Sequence, residues 1–185
     1  TVPQLAADPQ AMSTARNLFQ VNCSQCHGSD ARGSKSFPNL TDSDWLYGGE
    51  PEQIKQTIAD GRMGVMPAHA QLGADTIKDL ANYVRSLSGL PNDSVRAAKG
   101  KEAFNSAGCS GCHGPDGKGM QAIGAPNLTD KVWLHGWGEP AIAAMVNNGK
   151  NTYTNIFQVR EDVGARPMYP SYDFDGYLYT PARAG

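Results

Sequence analysis

Apolar positions with helical spacing recur along the chain, broken by long polar stretches. Residues 11–22 fit a short helix with Leu18 and Phe19 on its apolar face, after a loose lead-in over residues 1–10. Residues 28–50 are rich in Gly, Ser, Pro and Asp and predict a loop. Residues 52–60 predict a short helix with Ile54 and Ile58 at i,i+4, ended by Gly61. Asp75 can cap a helix running to about Ser88, on which Ile77, Leu80, Ala81, Val84 and Leu87 keep helical period. Residues 89–93, Gly-Leu-Pro-Asn-Asp, read as a linker, and a further helix follows over residues 96–107, in which Phe104 takes the place of Phe19.

From Pro38 onward the two halves align without a gap at an offset of 88 residues. Pro38-Asn39-Leu40-Thr41-Asp42 matches Pro126-Asn127-Leu128-Thr129-Asp130; Trp45-Leu46 matches Trp133-Leu134; Ile54 matches Ile142; Gly61-Arg62 matches Gly149-Lys150. This is an internal duplication. It predicts two tandem all-α domains, residues 1–90 and 91–185, with an atypical C-terminal segment over 155–185 that lacks the pattern of the 75–88 helix.

Each half carries one dense group of reactive side chains, Cys23-Ser24-Gln25-Cys26-His27 and Cys109-Ser110-Gly111-Cys112-His113. Cys-x-x-Cys also occurs in zinc sites and thiol redox pairs. Two copies, each followed by His and then Gly, single out covalent attachment of c-type haem. Two thiols about one helical turn apart bond to the two vinyl groups of a porphyrin, and the histidine offers its imidazole to the iron. The expected cofactors are two c-type haems, which consume all four cysteines. Such groups also explain how two halves of about 90 residues, with only 8% aromatic residues, could complete a core.

An iron that only exchanges electrons takes a second strong ligand, and a thioether sulfur favours the ferrous state. In the first half the candidates are Met66 and Met63. Met66 is followed by Pro67, which stiffens the loop, and stands 39 residues beyond His27. In the second half the aligned position is Thr154, a poor iron ligand. Met168, 55 residues beyond His113, is the best substitute; an open or water-bound iron, His135, Lys150, Tyr153 and Met145 remain as alternatives. Pro38 and Pro126 follow their histidines by 11 and 13 residues, and a carbonyl there can accept the histidine Nδ1–H, unless these are plain loop prolines. Trp45 and Trp133 are candidates to pack on the haem or donate to a propionate, against a simple core role. Arg62 and Lys150 can neutralise propionates or stand as solvated loop charges.

The net charge of −2 argues against nucleic acid and against an electrostatic membrane surface as partners. The longest apolar run, residues 141–146, is too short to cross a bilayer. Covalent haem attachment implies export, so a cleaved signal or a membrane anchor is expected upstream of a chain that shows neither.

The pattern Pro-Asn-Leu-Thr-Asp-x-x-Trp-Leu, then Gly48, a short helix, Gly61-Arg62, Gly64 and Met66-Pro67-Ala68, resembles the two-haem subunit (CcoP or FixP) of cbb3-type cytochrome c oxidases over about residues 12–150. The resemblance implies cytochrome c-like domains in the periplasm, with His27 and Met66 as the axial pair of the first haem and His113 on the second. It implies a donor cytochrome or quinol-oxidising complex on one side and the oxidase core on the other, with the membrane reached only through a segment absent from this chain. This sequence departs from the family pattern at Thr154, where Met-Pro and a closing helix would be expected. Two other readings stay open: a free two-haem carrier, and a redox enzyme or small-ligand binder using an open second iron, with Tyr153, Tyr169 or Lys150 above it.

Overall fold

A computed structural model describes residues 1–153. The first half holds α1 (Val2–Ala6), α2 (Pro9–Asn22), α3 (Ser24–His27), α4 (Pro51–Asp60) and strand β1 (Met63–Met66). After a single 3-10 turn comes α5 (Ala74–Leu87), and then α6 (Ser94–Ser106), α7 (Cys109–His113), α8 (Glu139–Asn148) and strand β2 (Lys150–Tyr153).

Local sequence explains the helix boundaries. The Asp8 side chain accepts from the backbone N–H groups of Gln10 (2.8 Å) and Ala11 (3.4 Å), with Pro9 in the first turn where its missing N–H costs nothing. The lead-in expected to be loose is therefore helical: Pro3 and Pro9 open helices here instead of interrupting them. Asp93 caps α6 in the same way, to Val95 (2.9 Å) and Arg96 (3.1 Å). The duplication thus extends into the helices that lead to each cysteine pair. α4 and α8 both end at a glycine with positive φ, Gly61 at 71° and Gly149 at 70°. Asp75 lies inside the first turn of α5, whose N-cap is Gly73, so it favours the helix through its charge near the N-terminus instead of capping it.

The core is built where α5 packs on α6 and α8. Ile77, Leu80, Ala81, Tyr83 and Val84 of α5 meet Phe104 of α6 and Ile142 and Val146 of α8. Leu80 and Phe104 are almost fully buried, each contributing about 2–3 kcal/mol by area. Tyr83 and Phe104 meet edge to face at 5.3 Å. The helices cross so closely at Gly100 that an added Cβ would overlap the Asp79 carbonyl. Polar ties fix the same arrangement. Asn82, 1% exposed, donates to the Lys78 carbonyl (3.0 Å) and to Glu139 Oε2 (2.8 Å), and accepts from the Asp93 N–H (2.9 Å). Arg96 bonds Asp79 at 2.6 Å and lies 3.6 Å from Asp75. The last helix before the linker thus packs on helices that follow it.

A two-stranded antiparallel ladder, unforeseen in the all-α reading, joins the halves: Met63 pairs with Tyr153, Gly64 with Thr152, Val65 with Asn151 and Met66 with Lys150. Further hydrogen bonds between the halves run from Ser36 N–H to the Leu134 carbonyl (3.1 Å) and from Gln121 Nε2 to the Trp45 carbonyl (3.0 Å). Burial, then the charges of Asp130 and Asp42, push the Asp44 carboxyl above its ordinary range.

Candidate haem centres

Each Cys-x-x-Cys-His segment forms one short helical turn, α3 and α7, closed by a glycine of positive φ, Gly28 at 81° and Gly114 at 77°. The loop behind each turn folds back on it. The Gly33 N–H donates to the His27 carbonyl (2.7 Å), as the Gly119 N–H does to His113 (2.8 Å). This brings the Pro38 carbonyl to 3.0 Å from His27 Nδ1 and the Pro126 carbonyl to 3.1 Å from His113 Nδ1. A carbonyl can only accept, so Nδ1 carries the proton and the Nε2 lone pair is left for a metal. At His113, burial pushes the imidazole below its ordinary range and so favours the neutral, ligating form, with the Pro126 carbonyl partly opposing the shift.

Burial raises the thiol of Cys23, helped by neighbouring Cys26. Burial likewise raises that of Cys109. None of the four cysteines is in a disulfide. Among the described residues no group of three or more His, Cys, Asp and Glu converges as a zinc site requires.

The two histidines differ in surroundings. His27 is half-buried and meets the Phe37 ring edge on at 6.0 Å. His113 is buried, with the Phe104 ring 6.4 Å away. The sequence pattern marked Phe104 only as a repeat of Phe19; its place five residues before Cys109 was the available signal for a residue beside the histidine.

Of the candidate distal groups, Met63 is 63% exposed. Met66 is half-buried and packs against the α5–α6–α8 core, as do Cys109, Leu128 and Trp133. Met145 lies in α8 and Lys150 in β2. His135 is lowered by burial and by the Lys150 charge. Tyr153 is the last residue of β2. Thr154, Met168 and Tyr169 lie outside the described residues. Arg62 is engaged within its own half, Nε with Thr57 Oγ1 (3.2 Å) and Nη2 with Gln56 Oε1 (2.9 Å), while its guanidinium lies 5.4 Å from the centre of the Tyr47 ring.

Trp45 is half-buried, its ring against Gly49. Trp133 Nε1 is buried with no hydrogen-bond partner among the described residues, and so is the Tyr47 hydroxyl. A buried donor without an acceptor is costly in a folded chain. An orphaned indole N–H in the same cluster as Cys109 fits a bound group that brings an acceptor, as a haem propionate would. Paired thiols and an imidazole with Nε2 free, present at both motifs, fit haem.

Comparison with known proteins agrees. The family model described as "Cytochrome C oxidase, cbb3-type, subunit III" matches residues 10–84, and the one described as "Cytochrome c" matches residues 97–180. The chain is 56% identical to the cbb3-type cytochrome c oxidase subunit CcoP of Rubrivivax gelatinosus, over 82% of this chain and 49% of that protein. It is 41% identical to the subunit FixP of Sinorhizobium medicae, over 82% of this chain and 57% of the relative. It is 45% identical to FixP of Bradyrhizobium diazoefficiens, over 77% and 54%. The chain thus spans about half the length of the curated relatives it matches. With a mostly helical fold, two Cys-x-x-Cys-His turns and these relatives, the chain carries cytochrome c-like domains and resembles the CcoP and FixP subunits of cbb3-type cytochrome c oxidases.

Proposed function

We propose that the chain carries single electrons between two covalently held haems, as part of the subunit through which electrons enter a cbb3-type oxidase. The observation that carries this reading is the matched pair of histidine–proline contacts, 3.0 and 3.1 Å, one in each cysteine motif. Cys23 and Cys26 would hold one haem and Cys109 and Cys112 the other, with His27 and His113 as proximal ligands and Met66 as a distal one. Once bound, the haem supplies an iron that alternates between ferrous and ferric states.

The protein's part is to hold and to exclude. The Pro38 and Pro126 carbonyls fix the imidazole tautomer and restrict ring rotation, so the ligand geometry is preset in both oxidation states. The packing of Phe104, Ile142 and Val146 keeps water from the His113 side, which lowers reorganisation on electron transfer. Trp133 offers its N–H to an acid group entering the site. We place the two haem units on either side of residue 90 and the chain in the periplasm, between a donor cytochrome or quinol-oxidising complex and the oxidase core. Among the described residues no helix is long and apolar enough to cross a membrane; attachment to the membrane is assigned to residues other than these. A redox partner would dock through a small, transient contact at a haem edge.

The test is direct. The chain, exported from a host that attaches haem, should gain the mass of two haems per chain and show two one-electron steps in a redox titration. It should also restore oxygen reduction to oxidase membranes lacking this subunit when joined to a membrane anchor. A chain carrying no haem, or two haems and no transfer to the oxidase, overturns the reading.

A further inference from the structure

The ladder gives both repeats the same kind of exit. β1 and β2 pair about Gly64 and Thr152, which are equivalent positions in the duplication. An antiparallel pairing centred on equivalent residues is a local two-fold relation. At one end Met66 lies opposite Lys150, beside the Gly149 that ends α8, and the chain beyond it runs into the second repeat. There the His69 N–H donates to the Val146 carbonyl (2.9 Å), and α5 closes over α6 and α8. At the other end Tyr153, the last described residue, lies opposite Met63, just past the Gly61 that ends α4. The described chain therefore stops at the first repeat, at the point that mirrors the one from which α5 is delivered to the second.

The face at that point is bare. Val146 is 7% exposed under α5, whereas its counterpart on α4, Ile58, is 59% exposed. Phe104 and Ala103 of α6 belong to the core; their counterparts on α2 are Phe19, half-buried, and Leu18, 58% exposed. Neither α2 nor α4 buries a single residue. An apolar groove of about 410 Å³ runs along α4, lined by Val2, Pro51, Ile54, Lys55, Ile58 and Ala59. Scattered apolar side chains on a surface are ordinary, but a set that is core in one copy of a duplication and open in the other lacks a cover.

We propose that residues 155–185 are that cover, reaching the α2–α4 face from β2 as α5 reaches the α6–α8 face from β1. The occupant follows from where the described chain stops and from what comes next. At the offset of 88 residues Phe157 corresponds to His69, so it arrives beside Ile58 as His69 arrives beside Val146. The segment is longer than residues 67–87, which serve the second repeat. Its sequence lacks the helical period of α5; Tyr169, Tyr172, Phe174, Tyr177 and Tyr179 supply the apolar area in place of that helix's aliphatic stripe. The inference goes beyond the electron-transfer reading, because it concerns how the first repeat is closed.

The test uses the full chain with both haems attached, checked by mass and diluted until it sediments as a monomer. Photoreactive p-benzoylphenylalanine replaces Ile58 in one preparation, Leu18 in a second and Val95, exposed on α6, in a third. After illumination and proteolysis, positions 58 and 18 should be joined to peptides from residues 155–185 of the same chain, and position 95 should not. In the unsubstituted chain, hydroxyl-radical footprinting should mark Leu18 and Ile58 several-fold less than Val95. Products joining position 58 or 18 to a haem, or to a second copy of the chain, overturn the proposal by naming another occupant. Leu18 and Ile58 marked as heavily as Val95 overturn it by showing the face open. Each of these results, obtained on a chain whose mass shows two haems, leaves the functional reading standing.

Discussion

Gly100→Ala tests the helix crossing by the sign of its effect. On a helix face open to solvent, replacing glycine with alanine removes backbone freedom from the unfolded chain and stabilises by about 0.8–1 kcal/mol. Gly100 is buried under α5, where a Cβ would overlap the Asp79 carbonyl and come within 2.8 Å of Tyr83 Cβ. Neither of those atoms can swing aside, so the helices must part. Overpacking of this kind costs about 1–3 kcal/mol, and with backbone on one side the upper half of that range applies. Setting the helical gain against it leaves a loss of about 1–2 kcal/mol, which in a chain of this size lowers the melting temperature by roughly 2–8 °C. Thermal and urea unfolding followed by circular dichroism read this for Gly100→Ala beside the parent protein. A variant as stable as the parent, or more so, would show that α5 and α6 do not cross at Gly100, and the core assignment would fail.

Three further expectations follow from the same structure. Asn82→Leu removes the side chain that bonds Lys78, Glu139 and the Asp93 N–H; leaving those partners unsatisfied should cost about 2–4 kcal/mol in denaturant unfolding, and a change under 0.5 kcal/mol would count against the bridging role. Phe104→Ala should cost about 3–5 kcal/mol, because the ring is 2% exposed and packed edge to face on Tyr83; a loss under 1 kcal/mol would refute that packing. Asp44 has its carboxyl raised in the folded state, so its ionisation weakens the fold as pH rises through that raised value. Asp44→Asn should therefore be slightly more stable than the parent at neutral pH, with the gain vanishing once the pH falls below the ordinary carboxylate value near 3.8; a gain that persists there, or a loss at neutral pH, would contradict the sign.

Local chemistry was well expressed in the sequence. The helices at Pro51–Asp60 and Ala74–Leu87 follow from period and end signals, because an amphipathic helix writes its buried face at fixed spacing. Pro3 and Pro9 were harder, since proline marks loops and first helical turns alike, and only the Asp8 cap decides between them. The ladder could not be foreseen: Met63-Gly64-Val65-Met66 and Lys150-Asn151-Thr152-Tyr153 lack the alternation of a half-buried strand, and their pairing bridges residues nearly 90 positions apart. The place of Met66 was hidden for the same reason. A separation of 39 residues from His27 measures chain length, and the packing of Met66 on the α5–α6–α8 core is set by contacts far along the chain. The distal side of the second motif was read through Met168, which lies outside the described residues.

The bridge made by Asn82 has a consequence for how this duplicated chain can be divided. A tandem repeat invites a cut at its linker, as though each copy were a spare part. Here the helix before the linker covers the helices after it, and Asn82 reaches the Asp93 N–H that begins the next copy. A piece starting at Ser94 would present Phe104, Ile142 and Val146 to water, and the piece ending before it would carry α5 with its partners gone. Neither fragment would fold as its share of the whole, yet the two mixed together would restore the missing surface to each other. The two repeats are a pair of interlocked links, and a cut at the linker divides a core that both share.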